Sequence, residues 1–189
     1  FSSWSGAAEA VLNFYNLNNE TILCPSNTFQ ATPMISKLCG ADIKFVDCNK
    51  NDLCISFDDL KKKVIKHKPK AIWVVHIGGH ITFEIEQIAD FCKKNKIILI
   101  EDCAHSHGAS YKGKKPGSWG EAGIYSMYAT KTISTGEGGI LVSKNSDLIN
   151  FAKEYRNYGK PNNKILGKNC RMSEFTAALG CVQISRLND

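Results

Sequence analysis

Short apolar runs of strand length alternate along this chain with stretches in which apolar residues recur every three or four positions. Runs at Thr21–Cys24, Asp42–Val46, Ala71–His76, Ile97–Ile100, Ala122–Met127 and Gly139–Ser143 read as strands. Helical spacing covers roughly Gly6–Leu17, Phe29–Leu38, Asp58–Lys66, Phe83–Lys94, Ser146–Tyr155 and Ser173–Leu187. In the fourth of these, Ile85, Ile88, Ala89 and Cys92 stand at i, i+3, i+4 and i+7, so one face is buried. Gly40 follows the second helix in the position of a C-cap. Strand and helix taking turns argue for βαβ units, hence an α/β fold with a mostly parallel sheet.

The remaining segments punctuate rather than divide. Tyr111–Gly120 is rich in Gly and Lys and reads as loop, and Gly159–Asn169 separates the sheet region from the last helix. Neither is a linker between independent domains. The 189 residues, 43% apolar and 22% charged, are ordinary globular material. No run approaches the roughly 18 apolar residues of a membrane span, and no basic start with a long apolar segment marks a secretory signal.

Eight cysteines, at 24, 39, 48, 54, 92, 103, 170 and 181, include no C-x-x-C pair, and several lie in apolar runs. They read as buried free thiols, which places the chain in a reducing compartment, the cytoplasm. The net charge of +6 is spread out. Its densest group, Lys61-Lys62-Lys63 with Lys66, Lys68 and Lys70, follows Asp58-Asp59 on a helix, the order a helix dipole favours. It reads as a solvated face, not a nucleic-acid surface.

The chemistry concentrates in two places. Glu101-Asp102 closes one apolar run, and Lys131 follows the next, in Ser126-Met-Tyr-Ala-Thr-Lys131 ahead of Gly136-Glu-Gly138-Gly139. In parallel sheets functional groups gather at the carboxyl ends of strands. A carboxylate there with a lysine nearby is what pyridoxal phosphate needs. The amine forms a Schiff base with the cofactor aldehyde, and the carboxylate keeps the pyridine nitrogen protonated. The Ser5-Gly6-Ala7 turn before the first helix is a candidate phosphate site, and Ser126 adds a hydroxyl.

Two other patterns carry less. His76, His80, His105 and His107 have no acidic or thiolate partner at ligand spacing, so no metal is expected. Gly108-Ala-Ser-Tyr-Lys-Gly113-Lys114 fits the start of a P-loop, but Lys115 stands where Ser or Thr should hold magnesium.

The ordered set of motifs resembles the DegT/DnrJ/EryC1/StrS family of pyridoxal-phosphate-dependent sugar aminotransferases. It runs from Ser5-Gly6-Ala7-Ala8 through Pro25–Thr32, Val75–His80, Glu101–Gly108 and the lysine segment to Asn169–Glu174. The resemblance implies the aspartate-aminotransferase-like three-layer sandwich of PLP fold type I. On it, residues 1–189 form the large domain of a partial chain lacking an N-terminal arm and a C-terminal small domain. It also implies amino transfer from an amino acid, glutamate by resemblance, to a keto group of a nucleotide-linked sugar, in cell-surface polysaccharide biosynthesis.

Residue roles carry over on the matching positions. Lys131 holds the cofactor and moves the proton. Asp102 pairs with the ring nitrogen, Phe29 stacks on the ring, and His105 partners its 3′ oxygen. Gly6, Ala7 and Ser126 contact the phosphate, although the family usually has a hydroxyl residue where Ala7 stands. Asn169, in a segment where Cys170 replaces the usual Tyr, reaches the phosphate of the neighbouring subunit and so implies a homodimer. Family members that act as sugar dehydratases replace the lysine with histidine, so Lys131 counts against that alternative. A catalytically silent regulatory domain has no reason to keep Asp102, Ser126 and Lys131 together.

Overall fold

A computed structural model describes residues 1–187. Six strands form one sheet in the order β2-β1-β3-β4-β5-β6: β1 (Thr21–Pro25), β2 (Asp42–Val46), β3 (Ala71–Val75), β4 (Ile98–Asp102), β5 (Ala122–Ser126) and β6 (Gly139–Val142). The first five run parallel, with Val75 beside Asp102 and Asp102 beside Ile124, and only β6 is antiparallel. The helices are α1 (Trp4–Phe14), α2 (Ala31–Leu38), α3 (Phe57–His67), α4 (Ile85–Lys94), α5 (Ser146–Tyr155) and α6 (Glu174–Ser185). The chain thus has the expected α/β architecture.

Alternation along each strand sorts the core into two apolar layers. Ile22, Cys24, Ala71, Trp73, Ile100 and Ile124 pack with Val11 and Leu12 of α1 and Leu148 and Ala152 of α5. Leu23, Ile72, Val74 and Leu99 point the other way, onto Leu60 of α3 and Ile85, Ile88 and Cys92 of α4. Successive strand residues face opposite sides, so a sheet covered on both faces has continuous rather than alternating apolar runs. The result is a three-layer sandwich.

Several boundaries move from the sequence reading. Helix α1 starts at Trp4, two residues early, because Ser3 caps it: the Gly6 amide donates to Ser3 Oγ at 3.1 Å. Helix α2 starts at Ala31, so Phe29 lies on the approach to the helix rather than in it. Asp102 is the last residue of β4 rather than just beyond the strand. Gly40 has φ +85°, and its amide bonds Lys37 O, as a left-handed helix exit requires. At Gly139 a Cβ would meet Ser3 O at 2.3 Å, so only glycine lets β6 close against the start of α1.

All eight cysteines are free, five of them buried and Cys181 exposed. Helix α3 buries only Leu60, and Lys61 pairs with Asp58 at 2.9 Å, which is the solvated face expected of it. The P-loop-like stretch folds back through a bridge between Tyr111 and Lys114 and leads into no helix. No helix among the described residues is long and apolar enough to cross a membrane.

Candidate active site

A cavity of about 490 Å³ opens at the carboxyl ends of β3, β4 and β5, on the face that carries α1 and α2. That is an ordinary volume for a cofactor pocket. Val75, Asp102 and Ser126 reach it from the strand ends, and Ser3, Trp4 and Ser5 from the start of α1. Phe29 and Ala31 enter from the approach to α2 and its first residue, and Tyr128, Thr130, Lys131 and Glu137 complete the lining.

The position of each group has a local cause. Asp102 is 5% exposed; its Oδ2 accepts from Thr32 Oγ1 at 2.8 Å and its Oδ1 from the Ala104 amide at 3.0 Å. Burial pushes its carboxyl above the usual range, opposed by those two donors and by the imidazoles of His105 and His76. No ion pair to Asp102 forms among the described residues. A buried acid on a largely apolar cavity calls for a cation, and a protonated pyridine nitrogen is one.

Lys131 is held by a loop closed on itself. The Thr135 amide bonds Met127 O, the Met127 amide bonds Gly138 O, and the Lys131 amide bonds Tyr128 O at 2.9 Å. The amine therefore enters the cavity from a fixed turn, with no ion-pair partner among the described residues. Ser126 Oγ accepts from the Tyr128 amide at 3.3 Å, which leaves its own proton to donate elsewhere. His105 is pushed towards the neutral form by burial first and then by the Lys131 charge, against Asp102. A neutral imidazole keeps one N–H donor for a ring oxygen. Phe29 is 67% exposed, so it is a wall of the cavity rather than core. Acid, amine, hydroxyl and aromatic wall fit pyridoxal phosphate.

Three residues singled out in the sequence do not line the cavity. Because α1 starts at Trp4, Gly6 and Ala7 lie within its first turn, and their amides already donate to Ser3 Oγ and Ser3 O. Ser3, Trp4 and Ser5 occupy the wall in their place. Asn169 lies apart, bridged to Asn157, with its Oδ1 accepting from the Arg171 amide. Arg171 bonds Asn157 Oδ1 at 2.7 Å and lies over Tyr158, so its partners come from the α5 exit.

Two functional positions escaped the sequence reading. Thr32 is 1% exposed and orients Asp102; its signal was a polar residue on the inner face of α2, one turn before the likewise buried Ser36. Glu101 faces away from the cavity, fully buried. It accepts from the Gly117, Trp119 and Gly120 amides at 2.7–2.8 Å and contacts His76 Nε2 at 3.0 Å. Nδ1 of His76 accepts from the Thr82 amide, so Nε2 carries the proton given to Glu101. Thr32→Val is expected to keep the fold and lower cofactor affinity about tenfold, the usual cost of removing one hydrogen bond to a charged group. Equilibrium dialysis checks it.

Comparison with known proteins identifies the family. The model of the DegT/DnrJ/EryC1/StrS aminotransferase family matches residues 1–189. GDP-perosamine synthase of Escherichia coli O157:H7 is 33% identical over 175 residues, 90% of this chain and 48% of that protein. UDP-4-amino-4,6-dideoxy-N-acetyl-beta-L-altrosamine transaminase of Campylobacter jejuni is 34% identical over 196 residues, 99% of this chain and 52% of that one. The solved structure of Helicobacter pylori PseC, an aminotransferase involved in the biosynthesis of pseudoaminic acid, superposes with a TM-score of 0.88 at 30% identity. It covers 100% of this chain and 53% of its own. The chain spans about half the length of the curated relatives it matches.

Proposed function

The chain belongs to the DegT/DnrJ/EryC1/StrS aminotransferase family, and from that premise we propose that it transfers an amino group from an amino acid to a keto group of a nucleotide-linked sugar, with pyridoxal phosphate as cofactor. The observation that carries this reading is the shared cavity: a buried carboxylate at the end of β4, with no ion pair among the described residues, and a lysine held on the loop after β5 line the same space.

When bound, the cofactor supplies an electron sink for charge developing on the substrate carbon. The chain's own residues do the rest. Asp102, fixed by Thr32 and Ala104, holds the proton on the ring nitrogen. Lys131 would hold the cofactor through its amine and, when that amine is free, would serve as the base that takes a proton from the substrate α-carbon and returns it. Phe29 covers one face of the ring and keeps water from it. His105 donates to the ring oxygen, while Ser126 and the start of α1 (Ser5, with Gly6 and Ala7 behind it) receive the phosphate. The names of the Escherichia and Campylobacter relatives make GDP- and UDP-linked keto sugars the panel to assay, with glutamate as donor. Full-length protein should show an absorbance band near the edge of the visible that shifts on adding glutamate. A spectrum indifferent to every amino donor would overturn the assignment.

Assembly and location belong to the same reading. Asn169, outside its own cavity, completes the phosphate site of a second copy in a homodimer. The free thiols support the cytoplasm as the place of action, and the sugar product feeds cell-surface polysaccharide. Mixing Asn169→Ala subunits with Lys131→Ala subunits is expected to restore part of the activity. One site of the mixed dimer then holds both defects and the other holds neither. No recovery despite subunit exchange, followed by mass spectrometry, would show that Asn169 acts within its own chain or not at all.

A further inference from the structure

A second set of reactive side chains converges outside the cavity, where two loops meet. Asp52 and Cys54 lie between β2 and α3, and His80 lies between β3 and α4. Cys54 Sγ is 3.7 Å from His80 Nε2, which is 3.1 Å from the Asp52 carbonyl oxygen. The sulfur, a ring nitrogen and a carboxylate oxygen of these residues all fall within 4.8 Å of one another. We propose that Asp52, Cys54 and His80 bind one divalent cation of the zinc class, a site separate from the cofactor cavity and independent of the transaminase reading.

The spacing suits the ion. Zinc bonds of about 2.3 Å to sulfur and about 2.0 Å to nitrogen, opened to a tetrahedral angle, put the two ligand atoms roughly 3.6 Å apart. The Cys54–His80 gap is already close to that. Thiolate with imidazole and one oxygen selects a borderline ion such as zinc over magnesium or calcium. Cys54 and Asp52 are buried and His80 is half-buried, so three ligands converge with a solvent-facing position left for water.

Surrounding contacts hold the ligands in place. Asp52 Oδ1 accepts from the Cys54 amide at 2.9 Å and Oδ2 from the Phe83 amide at 2.7 Å, and each oxygen keeps a further lone pair. The His80 ring packs against Phe83 at 5.3 Å. Contacts of this kind orient metal ligands. When the ion binds, the Cys54 thiol gives its proton to solvent, and the His80 ring proton passes from Nε2 to Nδ1 so that Nε2 can donate its lone pair.

Another convergence, His76 with Glu101 and Cys103, makes the contrast. Those groups are sealed from solvent, Glu101 is filled by three amides and an imidazole, and both His76 nitrogens are engaged. That set is a hydrogen-bond network. The Cys54–His80 pair, by contrast, reaches solvent on the half-buried His80 side, and each Asp52 oxygen keeps a lone pair.

The test uses the holoenzyme, stripped of metal by a chelator and titrated first with cobalt(II) and then with zinc. One equivalent of cobalt should give a thiolate charge-transfer band with tetrahedral-type visible bands, read as a difference against the metal-free holoenzyme, and zinc should abolish them. Cys54→Ser and His80→Gln should each weaken zinc binding at least about tenfold, while Cys103→Ser leaves it unchanged. If Cys54→Ser fails to fold, the partly exposed His80→Gln carries the test. A missing thiolate band, or one that persists unchanged in the His80 variant, would overturn the site.

Discussion

Lys131→Ala protein is expected to fold, to bind pyridoxal phosphate without a covalent link, and to turn over no substrate. The side chain lies on a loop whose closure comes from backbone bonds among Met127, Tyr128, Thr135 and Gly138, so its removal leaves those bonds in place. It is also partly exposed, so truncation opens no core cavity. Two functions go together: the covalent hold on the cofactor and the mobile proton. Loss of the acid–base role alone is worth about 10²–10⁴ in rate, and the missing covalent step adds to it. Borohydride treatment of the parent protein followed by peptide mapping should place the pyridoxyl label on Lys131. Label on another lysine would move the active site.

Asp102→Asn is expected to keep the shape of the site and cost on the order of 10³-fold in turnover, several kcal/mol of transition-state stabilisation. The Ala104 amide still has an oxygen to bond and the Thr32 hydroxyl can turn to accept from the new NH2, but the charge that keeps the ring nitrogen protonated is gone. Activity within about tenfold of the parent would show that the carboxylate has another task. Stability should change in the opposite sense. Burial raises the Asp102 carboxyl, so the folded protein binds that proton more tightly than the unfolded chain does. The associated stability is full below the ordinary carboxylate value and falls as pH rises from there towards the raised one. Without cofactor, then, Asp102→Asn should remove this slope and melt at a higher temperature than its parent near neutral pH. Calorimetry across pH checks it. A site that strains the protein until its ligand arrives is the usual cost of function.

The fold was largely legible because buried parallel strands announce themselves as short apolar runs, and because Ile85, Ile88 and Cys92 fix the inner face of α4 unambiguously. Boundaries were less legible. Ser3 caps α1 through one side-chain bond, and one such bond moved the helix start past the Gly6 turn that had been read as the phosphate site. Lys131, Asp102, Ser126, His105 and Phe29 meet in one cavity because each stands at or beside the end of a strand or the start of a helix, where motif order already placed them. The Asp52, Cys54 and His80 set was invisible for the opposite reason. Its ligands come from two loops far apart in sequence, joined by the bonds from His80 and Phe83 to Asp52, and no spacing within either loop marks them.

The adjacent acids Glu101 and Asp102 give β4 a property beyond chemistry. Each is satisfied on its own side: Glu101 by the amides of Gly117, Trp119 and Gly120, Asp102 by Thr32 of α2 and the Ala104 amide. A slip of β4 by a single residue would exchange the two faces, setting each carboxylate against apolar neighbours at a cost of several kcal/mol per charge. An all-apolar central strand has no such sense of direction. The two acids therefore act as a key that admits one alignment of β4 and rejects its neighbours, so the chain folds with its catalytic carboxylate already indexed to the correct side.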